Sequence, residues 1–115
     1  MSKENIIVVK SYQFSLDIIQ LYKNLTGKKE YVLSKQIVRS GTSIGANVEE
    51  AQAAFSKKDF IHKMTISSKE ARETFYWLRL LNDSDMLDPE FQTLLGKSEE
   101  LIKLLTSIVK SAQRG

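Results

Sequence analysis

Apolar and small residues recur in this chain in steps of three and four, the spacing of one face of an α-helix. The clearest stripe of this kind comprises Leu33, Ile37, Ser40, Ile44, Asn47, Ala51 and Ala54. Only one proline and five glycines are available to turn the chain. That is too few for a β-sandwich or barrel, which turns every 8 to 12 residues or so. The pattern predicts long helices.

Three further stripes share this spacing: Phe14, Ile18, Leu21 and Leu25; then Ile61, Met64, Ser68, Ala71, Phe75 and Leu78; then Phe91, Leu94, Ser98, Leu101, Leu105, Ile108 and Ala112. Breaks are expected near residue 27, at residue 56 and over residues 82–89. Four helices of about 20 to 26 residues with short connections favour antiparallel neighbours. The sequence therefore predicts a single all-α domain over residues 1–115, an up-and-down antiparallel four-helix bundle.

Local signals predict where these helices begin and end. Gly27 is expected to take the left-handed conformation that ends the first helix. Ser56 and Asp59 match a capping box at the start of the third helix. Asp88 precedes a proline and a glutamate, and it is expected to be the N-cap of the fourth helix.

The second helix contains Gly41 and Gly45, each of which costs up to about 1 kcal/mol relative to alanine in a helix interior. One interpretation is a loop over residues 40–45 that divides two short helices. The other is a continuous helix from about Glu30 to Phe55. We favour the continuous helix because the stripe keeps its phase across both glycines, where small residues would let a neighbouring helix approach closely.

Asn47 is a polar residue at a stripe position of the second helix. A buried amide needs hydrogen-bond partners, and such a residue tends to fix helix register at some cost in stability. We interpret Asn47 as structural, with a partner that the sequence does not identify.

The composition indicates the cellular compartment in which the chain is expected. It has no cysteine, so it can form neither disulfides nor thiolate metal sites. The first apolar run, Ile6–Val9, is shorter than the core of a signal peptide or a membrane span. We therefore expect a cytoplasmic protein. Its formal charge of +3 and pI near 9.1 permit contact with nucleic acid, although such a charge is also common for solubility alone.

The sequence gives little support for a metal-binding site. A carboxylate-bridged metal pair in a helical bundle uses a Glu-x-x-His motif from each of two helices, but this chain has one histidine. The nearest fragment is Asp59-x-x-His62, in which Asp59 already has a capping role. We expect neither a metal site nor a cofactor.

Catalytic motifs are also missing. Gly41–Gly45 lacks the lysine ending of a phosphate-binding loop and follows no strand. Glu70 and Glu73 lie one turn apart beside Lys69 and Arg72, as on a salt-bridged helix surface. Because no nucleophile is paired with a base, we expect that the protein is not an enzyme.

The third helix has more apolar residues than one stripe requires. Those outside its stripe are Ile66, Tyr76, Trp77 and Leu80. Large exposed apolar patches usually mark an interface, so these residues are predicted to contact another subunit or a partner chain. The alternative is that the aromatic residues merely flank the buried stripe.

Basic residues are concentrated in the middle of the chain. Residues 28–79 contain ten lysines and arginines against six acidic residues, and this modest excess would grow in a symmetric ring. The residues expected to contact phosphates are Lys28, Lys29, Lys35, Arg39, Lys57, Lys58 and Lys63. No recognition-helix motif appears, so little base specificity is expected.

Three segments, residues 36–51, 56–64 and 69–81, resemble a known family. This family comprises the bacterial four-helix-bundle proteins found as open reading frames within intervening sequences of 23S rRNA genes. The segments read QIVRSGTSIGANVEEA, SKKDFIHKM and KEARETFYWLRLL. Residues 12–16 of the first helix agree more loosely, and the fourth helix agrees only in pattern.

The resemblance implies a homo-oligomer, a ring of about five subunits. Similar accessory proteins of diversity-generating retroelements partner a reverse transcriptase and its RNA through basic surfaces. Two functions therefore stay open. One is a nucleic-acid-binding or ribonucleoprotein-accessory oligomer with RNA or DNA as its ligand, and the other is a protein-interaction scaffold without nucleic acid.

Overall fold

Four helices follow the predicted stripes in a computed structural model of the chain, which describes residues 2–115 apart from the side chain of Glu4. They are α1 (Lys3–Gly27), α2 (Leu33–Gln52), α3 (Lys57–Asp83) and α4 (Thr93–Arg114), with a 3₁₀ turn at Pro89–Phe91. No strand occurs among the described residues. The prediction of an all-α four-helix bundle is confirmed.

The helices pack in a closed cycle. Each contacts its neighbour in sequence, and α4 returns to contact α1. Lys10 pairs with Glu100, and Asp17 pairs with Lys97, so α1 and α4 run antiparallel. The bundle measures 46 × 21 × 20 Å. One end, called here the upper end, carries the α1–α2 and α3–α4 connections, and the lower end carries the α2–α3 turn.

The buried core runs along the bundle axis and includes the predicted stripe of α1. Phe14, Ile18, Leu21 and Leu25 are each at most 2% exposed. From α4, the buried residues are Leu94, Ser98, Leu101, Leu105 and Ile108. Complete burial of an aliphatic side chain contributes about 1.5–3 kcal/mol, so these stripes supply the main stabilisation.

The stripe of α3 is displaced from the prediction. Ser68 and Phe75 are only partly buried, whereas Ser67 and Thr74 are fully buried. The buried hydroxyls are satisfied by α2: Ser67 Oγ donates to the Ile44 carbonyl at 2.8 Å, and the Thr74 hydroxyl donates to the Ser40 hydroxyl at 2.9 Å. Small polar residues therefore fill this contact, and α3 is turned so that Phe75 faces α4.

Helix α2 is continuous through both glycines, as predicted. A Cβ atom at Gly41 would lie 2.8 Å from Cγ1 and Cγ2 of Ile18, and one at Gly45 would lie 3.2 Å from the Ser11 carbonyl oxygen. Both distances are shorter than ordinary van der Waals contact. The glycines thus let α1 and α2 approach closely.

Asn47 bonds within its own helix. It is partly buried, and its Nδ2 donates to the Ser43 carbonyl at 2.8 Å. Its neighbour Val48 is the residue that enters the core, with no exposed surface. The partner of Asn47 is therefore one turn away in α2.

The end of α1 differs from the prediction. Gly27 is the last helical residue, and Lys29 takes the left-handed conformation with φ of 67°. The Lys29 N–H donates to the Thr26 carbonyl and the Glu30 N–H donates to the Leu25 carbonyl, both at 2.9 Å. This Schellman arrangement satisfies the last carbonyls two residues later than expected.

Helix α2 begins at Leu33 and ends at Gln52, inside the predicted bounds. The Glu30 carboxylate accepts from the N–H groups of Val32 at 3.1 Å, Leu33 at 2.9 Å and Ser34 at 2.7 Å. Burial raises the pKa of the Glu30 carboxyl, but these backbone hydrogen bonds outweigh it, and the pKa is lowered. Glu30 therefore caps α2 from outside the helix.

The N-caps predicted for α3 and for the fourth helix have different outcomes. Ser56 accepts from the Asp59 N–H at 3.0 Å, which confirms it as the cap of α3. Asp88 is the N-cap residue of the 3₁₀ turn Pro89–Phe91, and only its predicted place at the start of the fourth helix is wrong, because α4 begins at Thr93. The Asp88 carboxylate instead accepts from Lys28 Nζ at 2.5 Å and from Asn24 Nδ2 at 3.1 Å. It joins the end of α1 to the α3–α4 connection.

Gly41→Ala should lower the free energy of unfolding by about 1–3 kcal/mol, the usual cost of overpacking, because the new methyl group would collide with Ile18. Gly96 is the matched control, since a Cβ there meets no atom within 4 Å. Gly96→Ala should raise stability by up to about 1 kcal/mol through helix propensity. Urea denaturation measures both, and a neutral or stabilising Gly41→Ala would contradict the close approach.

Glu30→Ala should lower the free energy of unfolding at neutral pH by about 1 kcal/mol, a typical loss of a helix cap. Because the folded-state pKa is lowered, this contribution is present above the ordinary value of 4.5 and is lost as the pH falls through the folded-state value. Thermal melts at neutral pH and at about pH 3 should therefore show a shrinking difference from wild type.

The control for this prediction is Glu49→Ala, an exposed carboxylate of the same helix. It should change the melting temperature little at either pH. A Glu30→Ala difference that is independent of pH would contradict the role of the carboxylate charge.

Candidate nucleic-acid interface

The ion pairs of the bundle lie on two of its four faces. Three pairs lie on the α1–α4 face: Lys10–Glu100 at 3.2 Å, Lys97–Asp17 at 2.9 Å and Lys28–Asp88 at 2.5 Å. Three more lie on the α2–α3 face: Lys63–Glu50 at 2.7 Å, Arg39–Glu70 at 3.4 Å and Arg39–Glu73. The α1–α2 and α3–α4 faces have no ion pair among the side chains described, those of residues 2, 3 and 5–115. Cations on these two faces keep their charge available to a ligand.

Arg39 belongs to a polar cluster between α2 and α3. It contacts the carboxylates of Glu70 and Glu73, and Glu73 also accepts from Trp77 Nε1 at 3.0 Å. Burial raises the pKa of Glu70, and the neighbouring Glu73 charge adds to this effect while Arg39 opposes it. The predicted salt bridges of these glutamates within α3 are replaced by bridges to α2, because both carboxylates face that helix.

The seven basic residues predicted to contact phosphates do not form one surface. Lys28, Arg39 and Lys63 each pair with a carboxylate. Of the other four, Lys29 and Lys35 lie near the upper end of the bundle, whereas Lys57 and Lys58 lie at the lower end. Helix α2 separates the two groups by about 30 Å, from 1.5 Å per residue.

A different set of cations shares the α3–α4 face. Along α3 the residues Lys58, Ile61, Thr65, Lys69, Arg72, Tyr76 and Arg79 follow three- and four-residue steps opposite the buried stripe. Helix α4 adds Lys103 and Lys110. We call the six cations of this face the basic track: Lys58, Lys69, Arg72, Arg79, Lys103 and Lys110. All six are exposed, and none forms an ion pair within the described chain.

Two shallow pockets show that cations from both helices meet along one groove. One, of about 330 Å³, is lined by Lys69, Arg72 and Lys110, and the other, of about 280 Å³, by Arg72 and Lys103. Arg72 is common to both, and its Nη2 donates to Thr106 Oγ1 of α4 at 3.3 Å. Arg72 therefore lies between the two pockets and links α3 to α4 within the groove.

The base of this groove is apolar. Phe75, Ile102 and Val109 line it and are partly buried, and the Arg79 guanidinium lies 5.6 Å from the centre of the Phe75 ring. Glu99 also lines the groove, and Asp83 follows Arg79 by one turn of α3. Six cations thus face two carboxylates, so the surface is positive at neutral pH.

The seven basic residues predicted from the sequence do not include Lys103 and Lys110, which lie outside the basic middle of the chain. The sequence contains one indication that these two lysines act together, since they are separated by seven residues. That distance is two helical turns and places both side chains on one face of the helix. Antiparallel packing of α3 and α4 then places them beside Arg72 and Lys69. The pairing of helices, rather than proximity in sequence, forms the charged surface.

The four residues predicted as an interface are unequally exposed. Ile66, Trp77 and Leu80 are partly buried, and Trp77 packs against the core. Tyr76 is 49% exposed. Its ring contacts Trp77 edge to face at 5.2 Å between centroids. Tyr76 is therefore the one exposed residue of this set, with about half of its surface in contact with solvent.

A second apolar surface lies on α1. Val9, Tyr12 and Leu16 occupy one exposed face at steps of three and four, with exposed fractions of 45%, 60% and 48%. We call these three residues the α1 stripe. No basic or acidic residue separates them in the face they form, so the α1 stripe is an uncharged patch.

Neither a metal-binding cluster nor a membrane-spanning helix is found in the part of the chain that the structure describes. The described side chains include no group of three or more histidine, cysteine, aspartate or glutamate residues placed to hold a metal ion. None of the described helices combines the length and apolar character needed to cross a membrane.

Comparison with known proteins identifies the relatives of this chain. A family model described as 23S rRNA-intervening sequence protein matches residues 3–107. A crystal structure of a protein of unknown function from the S23 ribosomal protein family of Bacteroides thetaiotaomicron is 49% identical, with a TM-score of 0.90. The alignment covers 95% of this chain and 99% of that one. No curated protein matches. The chain therefore belongs to the 23S rRNA-intervening sequence protein family.

Proposed function

We propose that this protein is a non-catalytic nucleic-acid-binding protein that holds the phosphate backbone of RNA or DNA along the basic track. The observation that supports this proposal is the set of six exposed cations on the α3–α4 face that form no ion pair with any side chain the structure describes. Cations that are already in an ion pair within the fold would have to break that pair to bind phosphate. Among the described side chains, the track has no ion pair to break.

Phosphate contacts account for the expected properties of this binding. Lysine and arginine release condensed counterions when they neutralise phosphates, so the affinity falls steeply with salt. Such contacts carry no sequence information by themselves. A helix face that offers mainly cations should therefore bind many sequences with similar affinity.

Self-association would multiply this surface. We propose that the α1 stripe contacts other subunits in a homo-oligomer, which the resemblance implies is a ring of about five. The α1 stripe and the basic track lie on different helices, so contact through α1 would leave the track open. A reverse transcriptase, as in the similar retroelement proteins, would be a protein partner that shares the bound RNA.

The α1 stripe also supports the second candidate function, a protein-interaction scaffold. Three exposed apolar side chains on one helix face are typical of a docking surface. In that case the basic track would serve solubility only. The two candidates differ in whether the assembled protein retains any oligonucleotide at low salt.

Replacing Lys69, Lys103 and Lys110 together with glutamine should weaken oligonucleotide binding at least about tenfold near 0.1 M salt. It should also reduce the slope of log affinity against log salt by roughly three, about one for each phosphate contact. Fluorescence anisotropy over a salt series measures both. The loss should be similar for unrelated sequences, since phosphates rather than bases are contacted.

The matched control is replacement of Lys23, Lys29 and Lys35 with glutamine, which removes the same charge from exposed positions outside the track. It should change affinity and slope less. Equal effects of the two variants would show that only net charge matters. Failure of the wild-type protein to bind any oligonucleotide at low salt would reject the nucleic-acid function in favour of the scaffold.

Light scattering should give a mass of about five times 13.1 kDa for the wild-type protein. Tyr12→Lys with Leu16→Lys should lower that mass towards one subunit, because desolvating two ammonium groups in an apolar contact is costly. Tyr31→Lys is the control, since Tyr31 is 61% exposed against 60% for Tyr12 and lies outside the stripe. A wild-type monomer, or an assembly unaffected by the double substitution, would contradict this role of α1.

A further inference from the structure

We infer that the nucleic acid held on the basic track is single-stranded, with bases stacked on Tyr76 and Phe55. The inference rests on the proposed function, and it adds the class of nucleic acid that this surface prefers. Its basis is the position of two exposed aromatic rings, one within the track and the other beside its lower end.

Tyr76 is a member of the same helical stripe as the cations of α3. Arg72 precedes it by four residues and Arg79 follows it by three, so both guanidinium groups are one turn away. Its ring is 49% exposed. A strand whose phosphates contact these arginines would bring a base within reach of the ring.

The Tyr76 ring is supported from the protein side. It contacts Trp77 edge to face, with an interplanar angle of 64°. Trp77 packs against the core, and its Nε1 donates to Glu73 at 3.0 Å. This support reduces the freedom that the tyrosine ring would lose when a base stacks on it.

Phe55 lies in the turn between α2 and α3 and is 92% exposed, more than any other large apolar side chain described. Lys57 and Lys58 follow it directly after Ser56. Phe55 makes no contribution to the core. An aromatic ring next to two lysines is the combination that single-strand-binding surfaces use.

The spacing of the two rings suits an extended strand. Helix α3 separates Lys57 from Tyr76 by 19 residues, or about 28 Å at 1.5 Å per residue. Lys58, Lys69 and Arg72 lie in this interval. Cations between two stacking rings form a path on which backbone and bases are both contacted.

A nucleic-acid duplex would contact the cations of this surface but would have no unpaired base to stack on its aromatic rings. Its bases are stacked on one another and paired, so an aromatic side chain on the face of a bundle reaches only sugar and phosphate. The cations would contribute to either ligand, whereas the rings contribute only where bases are unpaired. The difference between strand and duplex is therefore assigned to Tyr76 and Phe55.

The test uses the full chain and a labelled strand of roughly 20 nucleotides, as RNA and as DNA, alone and annealed to its complement. Wild-type protein should bind the single strand more tightly at equal salt. Tyr76→Leu and Phe55→Leu should each weaken single-strand binding about fivefold, the lower end of base–aromatic stacking. Affinity for the duplex and the salt slope should not change, because no cation is removed.

The control is Tyr31→Leu, which replaces a ring of similar exposure outside the track and should bind both ligands as wild type does. Circular dichroism and light scattering establish that each variant is folded and assembled as before. A changed mass in either leucine variant would make that ring a subunit contact and overturn its stacking role.

Three binding outcomes separate this inference from the proposed function. Preference for the strand that weakens in the leucine variants supports the inference. Equal affinity for strand and duplex, or leucine variants that bind as wild type, overturns it and leaves phosphate binding by the track intact. Wild-type protein that binds neither ligand removes the proposed function and the inference with it.

Discussion

The contact of Gly41 in α2 with Ile18 in α1 sets how closely the first two helices approach. Ile18 is completely buried and Gly41 has no side chain, so the isoleucine packs directly on the α2 backbone. Ser11 occupies the corresponding place opposite Gly45. With the α1–α2 distance fixed in this way, the apolar stripes of all four helices can meet in one core.

Charge then distinguishes the faces of the bundle. The α1–α4 and α2–α3 faces are joined by ion pairs between helices, which contribute modestly because they are partly exposed. The α1–α2 face is closed by glycines and serines instead. On the α3–α4 face, Thr106 and the apolar base of the groove meet Arg72 and Phe75, and no described carboxylate is paired with the cations. The proposed binding surface is therefore the face whose cations form no ion pair with the described side chains.

Helix α2, Asp88 and the basic track differ in how much of their structure the sequence contains. The spacing of Ile37, Ser40 and Ile44 predicted α2 across Gly41, because a helix preserves phase and a loop does not. Asp88 was misassigned because Asp before Pro is a common helix start, while the actual partners, Lys28 and Asn24, come from a distant helix. The basic track is not apparent in the sequence for the same reason, since Lys103 lies outside the basic segment and meets Arg72 only in the folded chain.

The sequence by itself determined the number of helices, the buried stripes of α1 and α4 and the cap at Ser56, because these depend on residues within a few turns of one another. Only the tertiary structure decided which cations are paired and which are free. That depends on which helices are neighbours and on the rotation of each about its axis. The shift of the α3 stripe from Ser68 to Ser67 illustrates the point, since a hydrogen bond to the Ile44 carbonyl, 23 residues away, accompanies that rotation. The same rotation brings Arg72 to the face shared with α4, where its Nη2 donates to Thr106 Oγ1 at 3.3 Å, a contact that depends on which helix lies beside α3.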